Sequence, residues 1–184
     1  MERDARSEKF PIGSIMPDFE LLNVDNSRLG SDWLKDGRAA LVVFGCNHCP
    51  YVQGTEAMLI EIAKKYEKQG LRTVMINSND AARYPEDSFA GMQKKAAALL
   101  LPYPYLHDES QSLARKFDAS CTPECYLFDG SHHLVYQGAI TDRPKESGTE
   151  RKDLLSPAIE QVLTGKKPSP EFTHPIGCSI KWKE

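Results

Sequence analysis

The sequence predicts an α/β fold, a layered mixed β-sheet with helices on its faces. Three observations carry that expectation. Residues Ala39 to Phe44 form an unbroken apolar run rich in β-formers, the pattern of a strand covered on both faces. Met58, Leu59, Ile62, Ala63 and Tyr66 then recur at helical spacing before a second strand pattern at Leu71 to Asn77. Finally, Cys125 to Phe128 and Leu134 to Tyr136 flank Asp129-Gly130-Ser131, the turn chemistry of an antiparallel hairpin. Strand–helix–strand–helix followed by a hairpin and a last helix requires both parallel and antiparallel pairs.

In chain order, residues 1–12 read as a polar arm. Pro17 to Val24 alternates like a short strand, and Asp25-Asn26-Ser27 turns it. After the strand at 39–44 comes a cysteine-containing turn, and Gly70 closes the helix that follows. Val74 and Ile76 share one side of the second long strand. Asp87 is expected to N-cap a helix whose apolar face carries Phe89, Met92, Ala96 and Leu99. A short helix spans Ser110 to Phe117. The last helix, with Ile159, Val162 and Leu163, ends at Gly165. The tail, 166–184, carries Pro168, Pro170 and Pro175 and is expected to be irregular. At 184 residues the chain makes one domain, 1–184.

Twenty-six acidic against 23 basic residues leave a net charge of −3, which argues against a basic nucleic-acid clamp. No run of about 18 apolar residues offers a membrane-spanning helix. The first residues, Met1-Glu2-Arg3-Asp4-Ala5-Arg6, are charged and lead into no apolar stretch, unlike a signal peptide. Five cysteines in such a chain read as thiols rather than a disulfide framework, and a cytoplasmic location is expected.

The turn after the first long strand reads Phe44-Gly45-Cys46-Asn47-His48-Cys49-Pro50-Tyr51. It joins a Cys-x-x-Cys pair to a strand-to-helix junction. Pro50 suits the first helical position, which places Cys49 at the N-cap. There the helix dipole and unpaired N–H groups favour thiolate over thiol. Cys49 is then the nucleophile toward a disulfide, and Cys46, one loop upstream, the first-choice resolving thiol.

Gly13, Pro17-Asp18-Phe19, the long strand and the cysteine turn resemble the redoxin branch of the thioredoxin superfamily, which holds alkyl-hydroperoxide-reductase-like and TlpA/ResA-like proteins. The resemblance continues through Asp108, Ala114 to Phe117, Thr122-Pro123 and Cys125 to Asp129, covering about residues 13–165. More closely, Cys49 to Val52, Asn77 to Asp80, Tyr84 to Ser88 and Gly177 to Trp182 resemble a subgroup labelled thioredoxin-family or redoxin-domain proteins. The resemblance implies a thioredoxin-like three-layer fold with an N-terminal strand extension. It also implies a cis proline at Pro123 opposite the active turn, with Thr122 and Pro123 shaping a substrate groove whose backbone pairs with a bound peptide. One departure stands out. Counted from Phe44, Cys49 holds the usual nucleophile position and Val52 the usual resolving one, so the visible pair is displaced one step upstream.

Two rival chemistries are open. A thiol peroxidase is expected to show Pro-x-x-x-Thr-x-x-Cys and a partner arginine. Here Val42 and Cys46 replace the proline and threonine, and Thr122 and Glu124 flank Pro123. A metal carrier resembling the copper-delivery Sco proteins would draw on Cys46, His48, Cys49, His174 and Cys178. Among auxiliary groups, His48 is a proton shuttle or an exposed loop residue. Cys121 is an auxiliary thiol or a small space-filler, and Cys178 a third redox thiol or a loose tail cysteine. Cys125 reads as buried core, Glu56 as a proton relay or solvated charge, and His107, His132 and His133 as surface residues. The expected function is thiol–disulfide exchange without organic cofactor or resident metal. It acts on a protein or small-molecule disulfide and is recharged by a thioredoxin- or glutathione-type reductant.

Overall fold

The computed structural model describes residues 9–145 and 150–184. Nine strands, six α-helices and a 3-10 turn (Pro85–Asp87) lie among the described residues. The N-terminal elements are β1 (Glu20–Asn23), β2 (Arg28–Gly30), α1 (Ser31–Lys35) and β3 (Ala39–Phe44). The cysteine turn leads into α2 (Pro50–Gln53), α3 (Glu56–Glu67), β4 (Leu71–Asn77), α4 (Phe89–Leu99), β5 (Tyr105–His107) and α5 (Ser112–Lys116). The chain closes with β6 (Cys121–Thr122), β7 (Glu124–Phe128), β8 (Leu134–Gly138), α6 (Leu155–Leu163) and β9 (Cys178–Ser179).

Seven strands form one sheet in the order β2-β1-β5-β4-β3-β7-β8, and β6 pairs with β9 apart from it. The centre is parallel, β3 with β4 and β4 with β5; the hairpin edge is antiparallel, β7 with β3 and β8. The sheet is therefore mixed, as the element order predicts. Residues of β3 divide between two cores because successive side chains point to opposite faces. Leu41 and Val43 pack with Leu59, Ile62 and Ile159 from α3 and α6. Val42 and Phe44 pack with Leu34 of α1 and Leu113 of α5. Helices thus cover both faces, giving three layers.

Several expectations need correction. Phe10 belongs to the core, its ring tilted against Phe117 with centroids 4.8 Å apart, so the polar arm ends before it. Residues 1–8 of that arm lie outside the described residues. Asp87 does not cap α4. It sits in a one-turn 3-10 helix, and the Ser88 hydroxyl accepts from Gly91 N–H as the true N-cap. The tail is not irregular throughout, since it contributes β9 and buries Ile180. His107 lies in β5, half-buried against the Phe89 ring, and burial holds its pKa below the usual imidazole value.

Candidate active site

β3 and β4 run parallel, so the segments that leave their C-terminal ends emerge side by side, where sheets of this kind place their sites. The cysteine turn follows β3, and Asn77-Ser78-Asn79-Asp80 follows β4. Gly45 begins the turn because a Cβ there would meet the Met75 sulfur at 2.5 Å. Cys49 is the N-cap of α2, with Pro50 as its first residue. That helix is only four residues long: Gly54 lies against the Pro144 carbonyl, where a Cβ would sit at 2.0 Å, and a separate helix restarts at Glu56.

Cys46 and Cys49 are both fully buried, and Cys178 packs against them half-buried. Thr122 serves all three. Its hydroxyl lies 3.4 Å from the Cys46 sulfur, and its carbonyl oxygen lies 3.3 Å from the Cys49 sulfur, which donates to it in the thiol form. Its backbone pairs in register with Cys178. The Thr122–Pro123 peptide is cis, as the resemblance implies.

This geometry sets the acid strengths apart. Hydrogen bonding from Cys46 is the largest influence on Cys49 and lowers its pKa to about 4, against the opposing effect of burial. Cys178 and the Val52 backbone add to the lowering. The same contact drives Cys46 the other way, far above the usual thiol range, with burial and the charge of Asp87 adding to it. Burial and the neighbouring Cys49 push Cys178 up to about 11. The thiolate is therefore held chiefly by sulfur partners, not by the dipole of a long helix.

Beneath the turn lies a polar group that sequence reasoning missed. Asp87 is wholly buried. One carboxylate oxygen accepts from the Asn47 N–H at 2.6 Å, and the other accepts from the Asn79 amide at 2.9 Å and faces His48 Nδ1 at 2.5 Å. His48 also stacks on Tyr84, so it is neither loose nor freely exposed. Tyr105 donates to Asn47 Oδ1 at 2.8 Å, and Lys95 donates to the Asn47 carbonyl at 3.1 Å while pairing with Glu56. Glu56 is therefore an ion-pair partner inside this network, not a solvated charge. The usable signal was position: a run of Asn and Asp residues directly after a buried strand must find buried partners.

The remaining sequence candidates divide clearly. Cys121 is buried in β6, next to Thr122, with its pKa raised to about 12 chiefly by burial. Cys125 is core, as expected. Cys46, His48 and Asp87 bring one ligating atom each within 4.8 Å of one another. That trio could share an ion, but the Asp87 oxygens already have protein donors. The wider metal set is not assembled, since His174 is exposed and packs against Phe172 instead. No described helix is long and apolar enough to cross a membrane.

Comparison with known proteins agrees with this architecture. No curated protein matches the chain. Among solved structures, an uncharacterized conserved protein from Geobacillus kaustophilus is 39% identical, covering 100% of this chain and 98% of its own, with a TM-score of 0.88. A hypothetical protein from Sinorhizobium meliloti is 34% identical over 98% of this chain and 99% of its own, with a TM-score of 0.87. A thioredoxin-family thiol:disulfide interchange protein from Chlorobium tepidum shares the fold at 18% identity, covering 82% of this chain and 97% of its own, TM-score 0.64. The profile of the AhpC/TSA family matches residues 12–137. With the redoxin fold, the buried sulfur cluster and that match over most of its length, the chain belongs to the AhpC/TSA family of thiol-redox proteins, within the thioredoxin superfamily.

Proposed function

We propose that the protein is a thiol–disulfide oxidoreductase in which Cys49 is the attacking thiolate. The observation that carries this reading is the place of the Cys49 sulfur, at the N-cap of α2 and packed with Cys46 and Cys178, where the Cys46 contact lowers its pKa to about 4. Its thiolate attacks a substrate disulfide, forms a mixed disulfide and expels one substrate thiolate. A second protein thiol then gives up its proton and attacks the Cys49 sulfur. This releases the other substrate thiolate and leaves a protein disulfide. Two electrons pass from the protein to the substrate, and a thioredoxin- or glutathione-type thiol returns them.

Cys46 is the resolver in this reading, and the acid strengths supply its timing. Its thiol is held protonated first of all by Cys49. Once Cys49 is tied up in the mixed disulfide, that influence ends and Cys46 ionises more easily. His48 and Asp87 lie within 4.8 Å of the Cys46 sulfur and are suitably placed to accept its proton. A second reading makes Cys178 the resolver, favoured by the pairing of β9 with β6 beside Cys49. A peptide map of the oxidised protein separates the two. Cys46→Ser is expected to trap substrate on Cys49 while Cys178→Ser still turns over. A Cys49–Cys178 bridge with Cys46 free would transfer the resolving role to the tail. Peroxidase chemistry has less support, because Val42 and Cys46 stand where the proline and threonine of that pattern belong.

A further inference from the structure

The groove that an extended substrate would use is already filled by the chain itself. β6 has one strand partner among the described residues, and that partner is β9. Cys121 pairs with Ser179 and Thr122 with Cys178, antiparallel, so the backbone edge beside Cys49 is taken. The fit is close enough to demand glycine just before the pairing begins. A Cβ on Gly177 would lie 2.1 Å from the Thr122 carbonyl oxygen and 3.2 Å from the Pro123 nitrogen.

Several independent contacts fasten the strand there. Ile180 is buried in the core, and its N–H donates to the Ser120 carbonyl at 3.2 Å. The Lys181 N–H donates to Asn79 Oδ1 at 2.9 Å, and the Lys181 carbonyl accepts from Asp80 N–H at 2.8 Å and from Gln111 Nε2 at 2.8 Å. Trp182 lies under the Arg115 guanidinium, 4.5 Å from ring centroid to charge.

We infer that β9 is a resident pseudosubstrate strand, and that the site therefore selects compact, low-molecular-weight disulfides over disulfides embedded in an extended polypeptide. This rests on the reading of Cys49 as the exchanging thiolate. An incoming strand needs the backbone groups of Thr122 and must first displace β9 with all its fastenings. A small disulfide needs no strand pairing. It approaches past Cys178, the partly exposed member of the three-sulfur cluster, and requires only local side-chain movement.

The test compares initial rates of oxidation of the reduced full chain, freed of excess reductant, by oxidised glutathione and by insulin. Alkylation and peptide mapping of quenched samples follow the loss of the Cys49 thiol. In the wild type, glutathione is expected to react and insulin to lag. Gly177→Val, which drives the tail off Thr122, is expected to raise the insulin-to-glutathione rate ratio by about tenfold, what one or two backbone hydrogen bonds supply. Trp182→Ala, which removes a distant fastening, moves the ratio in the same direction and guards against a folding defect at Gly177. Equal rates with the two oxidants in the wild type, or an unchanged ratio in both folded variants, overturns the pseudosubstrate strand. A Cys49→Ser protein that still consumes glutathione at the wild-type rate, or a wild type inert to both oxidants, instead overturns the reading of Cys49.

Discussion

His48 Nδ1 lies 2.5 Å from Asp87 Oδ2, and that carboxylate has no exposure to solvent. The same oxygen accepts from Asn79, whose other amide atom receives the Lys181 N–H of the tail. One buried carboxylate thus ties the cysteine turn, the segment after β4 and the C-terminal tail into a single hydrogen-bonded unit.

Removing that carboxylate has two expected effects. Asp87→Ala leaves the Asn47 N–H buried without its acceptor and should cost about 1–3 kcal/mol of stability, read from denaturant midpoints. Asp87→Asn keeps much of the shape but loses the charge that helps hold Cys46 protonated. Cys46 should then ionise at lower pH than in the wild type; an unchanged titration would show that the charge is not felt at the sulfur.

The Cys49 thiolate has a pH signature. Its folded pKa is depressed, so it stays ionised as pH falls from neutrality and gains its proton only near about 4. Thiolate absorbance should retain one ionised sulfur per chain through mildly acidic pH, and Cys49→Ser should abolish it. Rates of exchange should fall as pH drops through that value, not around the roughly 8.5 of an ordinary thiol. A signal kept in Cys49→Ser and lost in Cys46→Ser would move the low pKa to Cys46.

Thr122 separates attack from resolution. Its hydroxyl favours the ionised form of Cys46, whereas its contact with Cys49 comes from the backbone. Thr122→Val should leave the first step intact and slow resolution by Cys46 about 2- to 10-fold, the worth of one hydrogen bond. Mixed disulfide should accumulate on Cys49, and Thr122→Ser should reverse the effect. Unaltered resolution in the valine variant would favour Cys178.

Two lysine–glutamate pairs offer a control on burial. Lys95 and Glu56 keep only 15% and 14% of their side-chain area exposed, against 59% and 54% for Lys65 and Glu160. Lys95→Met strands Glu56 and removes a donor to the Asn47 carbonyl, for about 1–3 kcal/mol. Lys65→Met should cost about 0–1 kcal/mol, as exposed pairs do. Equal thermal shifts in the two variants would contradict the network.

What the sequence discloses follows from the range of the forces involved. β3 and β4 are legible because a strand buried on both faces must be apolar throughout, and Cys49 is placed at the N-cap by Pro50 beside it. α1, β2 and β5 run for three to five residues, too short to display a period. β9 is two residues held by pairing with residues nearly sixty positions earlier, so nothing local announces it. Asp87 misleads for a related reason. One residue before the true cap it has the chemistry of a cap, but its partners come from the cysteine turn and from the segment after β4. The low pKa of Cys49 is foreseeable in direction. Its main cause, the contact with Cys46, sits in the same motif, whereas the added lowering by Cys178 comes only through the fold.

The seat of Cys178 also bears on how oxidation changes heat tolerance. A bridge from Cys46 to Cys49 encloses a minute loop, for which the chain-entropy relation gives only about 2 kcal/mol. A bridge from Cys49 to Cys178 encircles most of the polypeptide, and the chain-entropy relation assigns a loop of that size about 4–5 kcal/mol. The melting point measured under oxidant and under reductant is therefore a gauge of which sulfur Cys49 takes. A small difference marks the near neighbour, and a rise of many degrees marks the far one.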